Sequence, residues 1–244
     1  MAENAEILRR ELRQESTSLI ASCATPQMEL DAVFRWGSIG EVRKQTVAAH
    51  TIGMIELVLY GCTLINSQRD IESWLDEQFL MTLALAHDKG EGVLGRDKWT
   101  TIKTARDDYN EYLAFVNAYT GIHPLFFKRL HRAFLLQFCF KDKFKTYLNG
   151  ANHNALQILA ELEETMRDEA YFFMGLEKLE FVLFGLEQMF FRDNIQIAVS
   201  TIDHHMKKLR KACKEVPEFR MLWTEKLEML CLELSAAYPN LERI

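Results

Sequence analysis

The stretch that decides the fold is residues 79–88, which read FLMTLALAHD. Its apolar side chains recur at helical spacing, and this pattern predicts a buried helix that ends in adjacent histidine and aspartate. The glycine-rich segment that follows, residues 88–95 (DKGEGVLG), predicts a loop. His87 and Asp88 are therefore expected where a buried helix opens into a loop, and both residue types are good ligands for a divalent cation.

Outward from this stretch, nearly the whole chain has the same helical pattern. Only four prolines and 11 glycines occur in 244 residues, and strict period-two alternation is absent from the sequence. The chain is therefore predicted to be all-α. Helices are predicted at roughly residues 3–22, 28–36, 41–65, 70–87, 100–119, 124–148, 153–190, 194–213 and 217–236.

The composition is that of an ordinary globular protein, with 48% hydrophobic and 26% charged residues, and predicts a single domain over residues 1–244. A net charge of -6 argues against general binding to a nucleic-acid polymer or an anionic membrane. The first residues are charged, without the apolar stretch of a signal peptide, and the five cysteines include no C-x-x-C pair. We therefore expect a cytoplasmic protein that has no membrane association.

A further histidine, His50, lies in the apolar segment of residues 47–61, VAAHTIGMIELVLYG. A histidine within such a helix is most often a hydrogen-bonded core residue, but its neutral imidazole is also a natural metal ligand. The helical pattern by itself leaves both interpretations open.

Two blocks around these histidines resemble the HD-domain 5′-deoxynucleotidases. The pair Arg35-Trp36 precedes His50, as an Arg-Trp pair precedes the first ligand histidine in that family. Residues 84–91, ALAHDKGE, resemble the H-D-x-x-E signature of the family. The resemblance covers roughly residues 28–97 and 171–190, and it implies an HD-domain-like helical bundle with a motif core at about 28–190 and extra helices at the termini and between the motifs.

Weaker matches follow these two blocks. Gly95 and Asp97 match the glycine and aspartate that come after the signature. The last ligand of the family is an aspartate early in a later helix, and the corresponding text here is Leu-Glu177-Lys-Leu, followed by Leu-Glu-Gln-Met at residues 186–189. Glutamate thus replaces aspartate at the fourth ligand position.

The resemblance implies one divalent metal ion, which His50, His87, Asp88 and Glu177 would bind. Asp168 is an alternative fourth ligand, one helical stretch earlier in the sequence. Manganese, cobalt, iron, zinc and magnesium all remain open as the metal.

Roles for further residues also follow from the resemblance. Glu91 would act as a general base on the attacking water, and Asp97 would protonate or orient the leaving oxygen. Arg35 would bind phosphate through its planar guanidinium, and Trp36 would form a wall against the sugar or base. Basic residues beside the signature would bind further phosphates: Lys89, Arg96 and Lys98.

The function that the resemblance implies is metal-dependent hydrolysis of a phosphate ester on a small nucleotide. The first expectation is conversion of a deoxynucleoside 5′-monophosphate to deoxynucleoside and phosphate. Release of triphosphate from a deoxynucleoside triphosphate is the alternative. A degenerate HD-fold binding protein without catalysis is a third possibility, because Ala49 stands where relatives often have glutamate. Apolar stretches in residues 112–148 offer a surface for a homodimer.

Other acidic and histidine pairs in the sequence suggest different interpretations. Glu161-x-x-Glu164 with Glu177-x-x-Glu180 resembles the acidic motifs of all-α nucleoside triphosphate pyrophosphohydrolases, although the closing aspartate of that family is absent. His204-His205 is expected at the surface, because adjacent helical residues point about 100° apart and do not share one ion. The acidic run of residues 107–111, DDYNE, is predicted to form a solvated helix face.

Overall fold

The computed structural model describes residues 34–35, 45–95, 103–150 and 152–243, and most of these residues are helical. The prediction of an all-α chain is therefore confirmed. The helices are α1 Val47–Asn66, α2 Glu77–Ala86, α3 Lys89–Leu94, α4 Ala105–Ala118, α5 Pro124–Leu136, α6 Asp142–Asn149, α7 His153–Thr165, α8 Arg167–Arg192, α9 Ile195–Glu215 and α10 Glu225–Ala237.

One short strand pair precedes the first of these helices. Strand β1, Phe34–Arg35, pairs antiparallel with β2, Gln45–Thr46. The predicted helices over 28–36 and 41–65 are wrong at these residues. Thr46 is in an extended conformation and its side-chain oxygen accepts a hydrogen bond from the Ala49 amide at 3.1 Å, so α1 begins only at Val47. The helix predicted at 3–22 lies outside the described residues.

Capping side chains also explain why other helices begin later than predicted. Asp76 accepts a hydrogen bond from the Phe79 amide at 2.9 Å and starts α2, after a 3-10 turn at Ile71–Ser73. Thr224 starts α10 in the same way, after a second 3-10 turn at Pro217–Met221. The helices predicted over 124–148 and 153–190 are each two helices, the latter joined through Met166, whose ψ of 39° departs from helical geometry.

The segment predicted to be a loop after Asp88 is instead the short helix α3. It ends at Gly95, whose φ of 66° is left-handed and suits glycine. Gly90 has a different role, because a Cβ atom there would lie 2.3 Å from the main-chain oxygen of Glu111. Glycine at this position therefore lets α3 pack directly on α4, and as a result both Lys89 and Glu91 are buried.

The core is formed mainly by the long helices. Helices α8 and α9 pack against each other along much of their length, while α1 contacts α2 and α8. Phe172 in α8 and the fully buried Trp223 and Phe219 belong to this core, as does the stacked pair Phe115 and Phe134. The packing brings the middle of α1, the end of α2 and the middle of α8 around one cavity.

Helix α1 is also apolar enough, with a mean hydropathy of 1.5 over its most apolar window, to cross a membrane by length and composition alone. Core helices of globular proteins pass the same test. Here the helix contributes Met54, Val58 and Cys62 to the core.

Candidate metal centre and its cavity

Three of the four predicted metal ligands meet in space. His50 lies within α1, His87 follows the last residue of α2, and Asp88 is the N-cap residue of α3. The two histidine Nε2 atoms are 3.1 Å apart, and Asp88 Oδ2 is 3.1 Å from Nε2 of His87 and 3.4 Å from Nε2 of His50. The structure therefore joins His50, His87 and Asp88 in a group that can hold a metal ion.

The contacts of the other ring nitrogens indicate which tautomers face this group. His87 Nδ1 lies 2.7 Å from the main-chain oxygen of Ala84, an acceptor, so Nδ1 carries the proton. His50 Nδ1 lies 3.1 Å from Oε1 of Glu180, and although this contact lacks hydrogen-bond geometry, a carboxylate so near favours a proton on Nδ1. In the neutral rings both Nε2 atoms then present electron pairs, and Glu180 is a partner that would orient His50 for metal binding.

The geometry fits one bound cation. Two imidazole electron pairs and a carboxylate oxygen face one another at 3.1 to 3.4 Å, an arrangement that is repulsive without a positive charge between them. Ligands that lie about 2.1 Å from one ion, at angles between those of octahedral and tetrahedral sites, are about 3.0 to 3.4 Å apart. The separations in the protein match this range.

The surroundings of Asp88 and His87 also favour a positive charge. Asp88 makes no side-chain capping bond to α3, and its carboxylate lies beside the two imidazoles instead. Burial lowers the pKa of His87, but the charge and hydrogen bond of Asp88 and the charge of Glu177 outweigh burial, so the pKa is raised above its ordinary value. The surroundings of His87 thus favour positive charge.

The fourth predicted ligand, Glu177, lines the same cavity as His50 and Asp88 but lies outside the three-residue group. Its Oε1 is 2.9 Å from Nζ of Lys178. Burial opposes ionisation of Glu177, but Lys178 and the more distant Lys141 outweigh it and lower the pKa below its ordinary value. Its role as a ligand stays a prediction.

The alternative ligand Asp168 is in different surroundings. Its Oδ2 lies 3.0 Å from Nη1 of Arg69, and the side chain is 46% exposed. Asp168 is not among the described residues that line the cavity.

The cavity measures about 140 Å³, whereas a cavity of roughly 10 to 15 Å³ already holds one water molecule. It is therefore large enough for a group the size of a phosphate. Polar residues of the metal group and of the signature line it together with aromatic side chains: His50, Asp88, Glu91, Phe140, Phe173 and Phe181.

Glu91, the predicted general base, belongs to a buried charge network. Its Oε1 is 2.8 Å from Nζ of Lys103, which also lies 2.6 Å from Oε2 of Glu111. Burial lowers the pKa of Lys103, but the two carboxylates outweigh it and raise the pKa well above its ordinary value. Burial raises the pKa of Glu111, against the opposing charge of Lys103.

The prediction that residues 107–111 form a solvated helix face is wrong. Asp107, Asp108 and Glu111 are all buried. Asp107 forms a capping box with Thr104 at the start of α4, and Asp108 Oδ1 accepts a hydrogen bond from Lys141 at 2.9 Å. The partner of Asp107 is local, but Lys141 lies on a different element, so the sequence of α4 does not indicate that Asp108 is buried.

Four lysines that the sequence analysis did not single out line the cavity: Lys103, Lys141, Lys178 and Lys208. Burial, followed by repulsion from Lys208 and Lys141, lowers the pKa of Lys178 to about 8 against the attraction of Glu177. These lysines are distant from one another and from the signature in the sequence, so spacing gives no signal for them.

The basic and aromatic residues expected to bind substrate are mostly beyond what the structure describes. Trp36, Arg96, Asp97 and Lys98 lie outside the described residues, and for Arg35 only the backbone, in β1, is described. Lys89 lies in α3 and not in a loop, and its side chain is buried. It is not among the described residues that line the cavity.

The histidine pair in α9 is divided between two environments. His204 is exposed as predicted, but His205 is buried and stacks on Phe181, with ring centroids 4.8 Å apart. The expectation of a surface position is therefore wrong for His205. Burial, more than any neighbouring charge, lowers the pKa of His205 to about 3, as expected for a ring that packs as an apolar core residue.

The glutamates that resemble the motif of a pyrophosphohydrolase do not all line the cavity. Glu161 pairs with Arg132 at 2.8 Å and is 56% exposed, and neither Glu161 nor Glu164 is among the described cavity residues. Glu180 instead contacts His50.

Comparison of the chain with protein-family models, with curated proteins and with solved structures finds no match. A function for this protein therefore has to be argued from its own residues.

Proposed function

We propose that the protein is a metal-dependent phosphohydrolase that acts on small nucleotides. The observation that carries this proposal is the convergence of Nε2 of His50, Nε2 of His87 and Oδ2 of Asp88 within 3.1 to 3.4 Å at the wall of a cavity. Lysines also line this cavity, and their positive charges favour an anionic substrate. The resemblance of residues 84–91 to the HD signature supports the reaction class.

In the proposed reaction, a divalent ion at this group would polarise a phosphoryl oxygen and lower the pKa of a bound water. Glu180 would orient His50, and the main-chain oxygen of Ala84 would orient His87, so that both Nε2 atoms are available to hold the ion. Glu91, on the cavity wall, would accept a proton from the attacking water. Lys103, 2.8 Å from Glu91, fixes the direction of that carboxylate.

The substrate would be a nucleotide whose phosphate points to the metal group. Aromatic side chains of the cavity, Phe140, Phe173 and Phe181, offer an apolar surface for a sugar or base. Arg35 and Trp36 keep their proposed roles in contacting the phosphate and the base. The family resemblance favours a deoxynucleoside 5′-monophosphate over a triphosphate as the starting hypothesis.

Phosphate or triphosphate release from a panel of nucleoside mono- and triphosphates, with each divalent metal in turn, tests the reaction. Asp88→Asn preserves the shape of the side chain but removes its negative charge, and we expect turnover to fall at least about 100-fold. Asp142→Asn, at a position that is 94% exposed, is the matched control and should behave as wild type. Equal turnover in Asp88→Asn and wild type would exclude this group as the catalytic centre.

A non-catalytic nucleotide-binding protein is the second candidate. The ion pair between Glu177 and Lys178 favours it, because a carboxylate neutralised by a lysine is a weaker metal ligand. This candidate predicts nucleotide binding without turnover for every metal. Metal-dependent product release would exclude it.

A further inference from the structure

Three lysines from different helices meet at the cavity. Lys141 is the N-cap residue of α6, Lys178 lies in the middle of α8 and Lys208 lies in α9. All three line the cavity that also contains His50 and Asp88. The charges of Lys141 and Lys208 both act on Lys178 and on Glu177.

The described carboxylates only partly neutralise these lysines. Lys141 pairs with Asp108 at 2.9 Å, and Lys178 pairs with Glu177 at 2.9 Å. Lys208 forms no ion pair within the part of the chain that the structure describes, and its side chain is exposed at the cavity. Lys208 therefore brings to the cavity a positive charge that no described carboxylate pairs with. Lys141 and Lys178 bring two more charges, which they share with Asp108 and Glu177, and of these two carboxylates only Glu177 is among the described residues that line the cavity.

The origin of the three lysines indicates the kind of ligand that would use them. A single phosphate bound at the His50, His87 and Asp88 group would contact the metal ion there. Lys141, Lys178 and Lys208 come from other helices and would then face further negative charge only if the ligand extends across the cavity. A chain of linked phosphates is a ligand of that kind, because each unit adds negative charge along its length.

We propose that Lys141, Lys178 and Lys208 form a subsite for phosphate groups beyond the one that reacts, so that the preferred substrate carries a polyphosphate chain. This inference rests on the proposed function and names its substrate class. It favours a nucleoside triphosphate over the monophosphate that the family resemblance puts first.

Isothermal titration with inorganic orthophosphate, pyrophosphate and tripolyphosphate, without added metal, tests the subsite directly. We expect affinity to rise with chain length, and tripolyphosphate to bind at least about tenfold more tightly than orthophosphate. Lys208→Gln should weaken tripolyphosphate binding by about three- to tenfold, since an exposed lysine contributes a screened charge. Lys207→Gln, the neighbouring exposed lysine that is not among the described cavity residues, is the matched control.

The outcome for the subsite can be separated from the outcome for catalysis. Equal tripolyphosphate affinity in Lys208→Gln and Lys207→Gln, or equal affinity for all three anions, would overturn the subsite even if the enzyme hydrolyses monophosphates. Selective loss of tripolyphosphate affinity in Lys208→Gln would support the subsite even if no nucleotide is hydrolysed. Lys208→Arg, which keeps the charge, should restore the binding that Lys208→Gln loses.

Discussion

Two polar clusters border the same cavity, and they differ in composition. The first consists of His50, His87 and Asp88, three donors of electron pairs. The second alternates signs, with Lys103 between the carboxylates of Glu91 and Glu111 at 2.8 and 2.6 Å. Buried polar groups need compensating partners. The second cluster contains a lysine between its carboxylates, whereas the three atoms of the first cluster are spaced to bind a metal ion.

This difference separates a cation that stabilises the fold, Lys103, from a metal ion that would serve the proposed chemistry, while Glu91 in the second cluster keeps its proposed role as general base. Removing the cation of the second cluster should harm folding, since two carboxylates would lose the ammonium they share. Removing a ligand of the first cluster should harm metal binding more than folding. Substitutions in each cluster test this division.

The largest effect is expected for His87→Ala. It removes one of the three converging donors, and we expect stoichiometric metal binding and metal-dependent turnover to be lost together. Metal content after dialysis, measured by elemental analysis, gives the result, and His204→Ala on the exposed side of α9 is the control. Full metal retention in His87→Ala would show that the group is not the metal centre.

The next effect concerns the second cluster. Lys103→Met keeps the length of the side chain but removes the charge, and we expect the free energy of unfolding to fall by about 3 kcal/mol at neutral pH. The loss should shrink as the pH is lowered, because the remaining carboxylates can then take up protons. Urea unfolding with Lys226→Met, at an exposed position, as the control measures it. Unchanged stability would remove the distinction between the clusters.

Glu180→Gln sharpens the comparison, because Glu180 lies 3.1 Å from His50 Nδ1 and adjoins the first cluster through that ring. We expect metal affinity to fall about 10- to 100-fold, as is typical when an outer partner of a ligand histidine is changed. Competition with a metal chelator gives the affinity. Glu177→Gln belongs in the same experiment: a larger loss there than in Glu180→Gln would support Glu177 as the fourth ligand, and no loss would exclude it.

A smaller effect is expected far from the cavity, where Glu228 accepts hydrogen bonds from Arg220 at 2.6 Å and from Trp223 Nε1 at 3.1 Å. Burial opposes ionisation of Glu228, but Arg210 and Arg220 outweigh it and lower the pKa of Glu228. A carboxylate whose pKa is lowered in the folded state stabilises the folded protein at pH values above its ordinary pKa of 4.5. This stabilisation is lost as the pH falls through the pKa of the folded state.

Glu228→Gln should therefore cost about 1 kcal/mol of stability at pH 7, and the difference from wild type should diminish below about pH 4. Thermal unfolding across pH 3 to 7 measures it. Because Glu228 is paired with Arg210 and Arg220 and lies far from the cavity, the metal content of the protein should be unchanged. A loss of metal in Glu228→Gln would contradict the distinction between the first cluster, which would bind the metal, and clusters that contain their own cations.

How far the sequence predicts this molecule depends on whether a property is local. The helical pattern and the His87-Asp88 pair at the end of α2 are local features, and the fold class follows from them. The meeting of His50 with that pair is not local, and it was expected only from the family resemblance. Whether Asp108 is solvated or buried depends on Lys141, which lies on a different element. The apolar periodicity of the sequence also does not give the first residue of each helix, because a single capping side chain such as Asp76 determines where the helix begins.

Helix α3 begins without the side-chain bond that often stabilises a helix start. Aspartate is among the preferred N-cap residues, and a satisfied cap contributes about 1 kcal/mol, yet Asp88 makes no such bond. The φ of -99° and ψ of 4° of Asp88 are not those of the extended conformation in which a capping side chain reaches the first turn. The carboxylate lies beside His50 and His87 instead, so on the proposed function the chain gives up that contribution to stability in favour of metal binding.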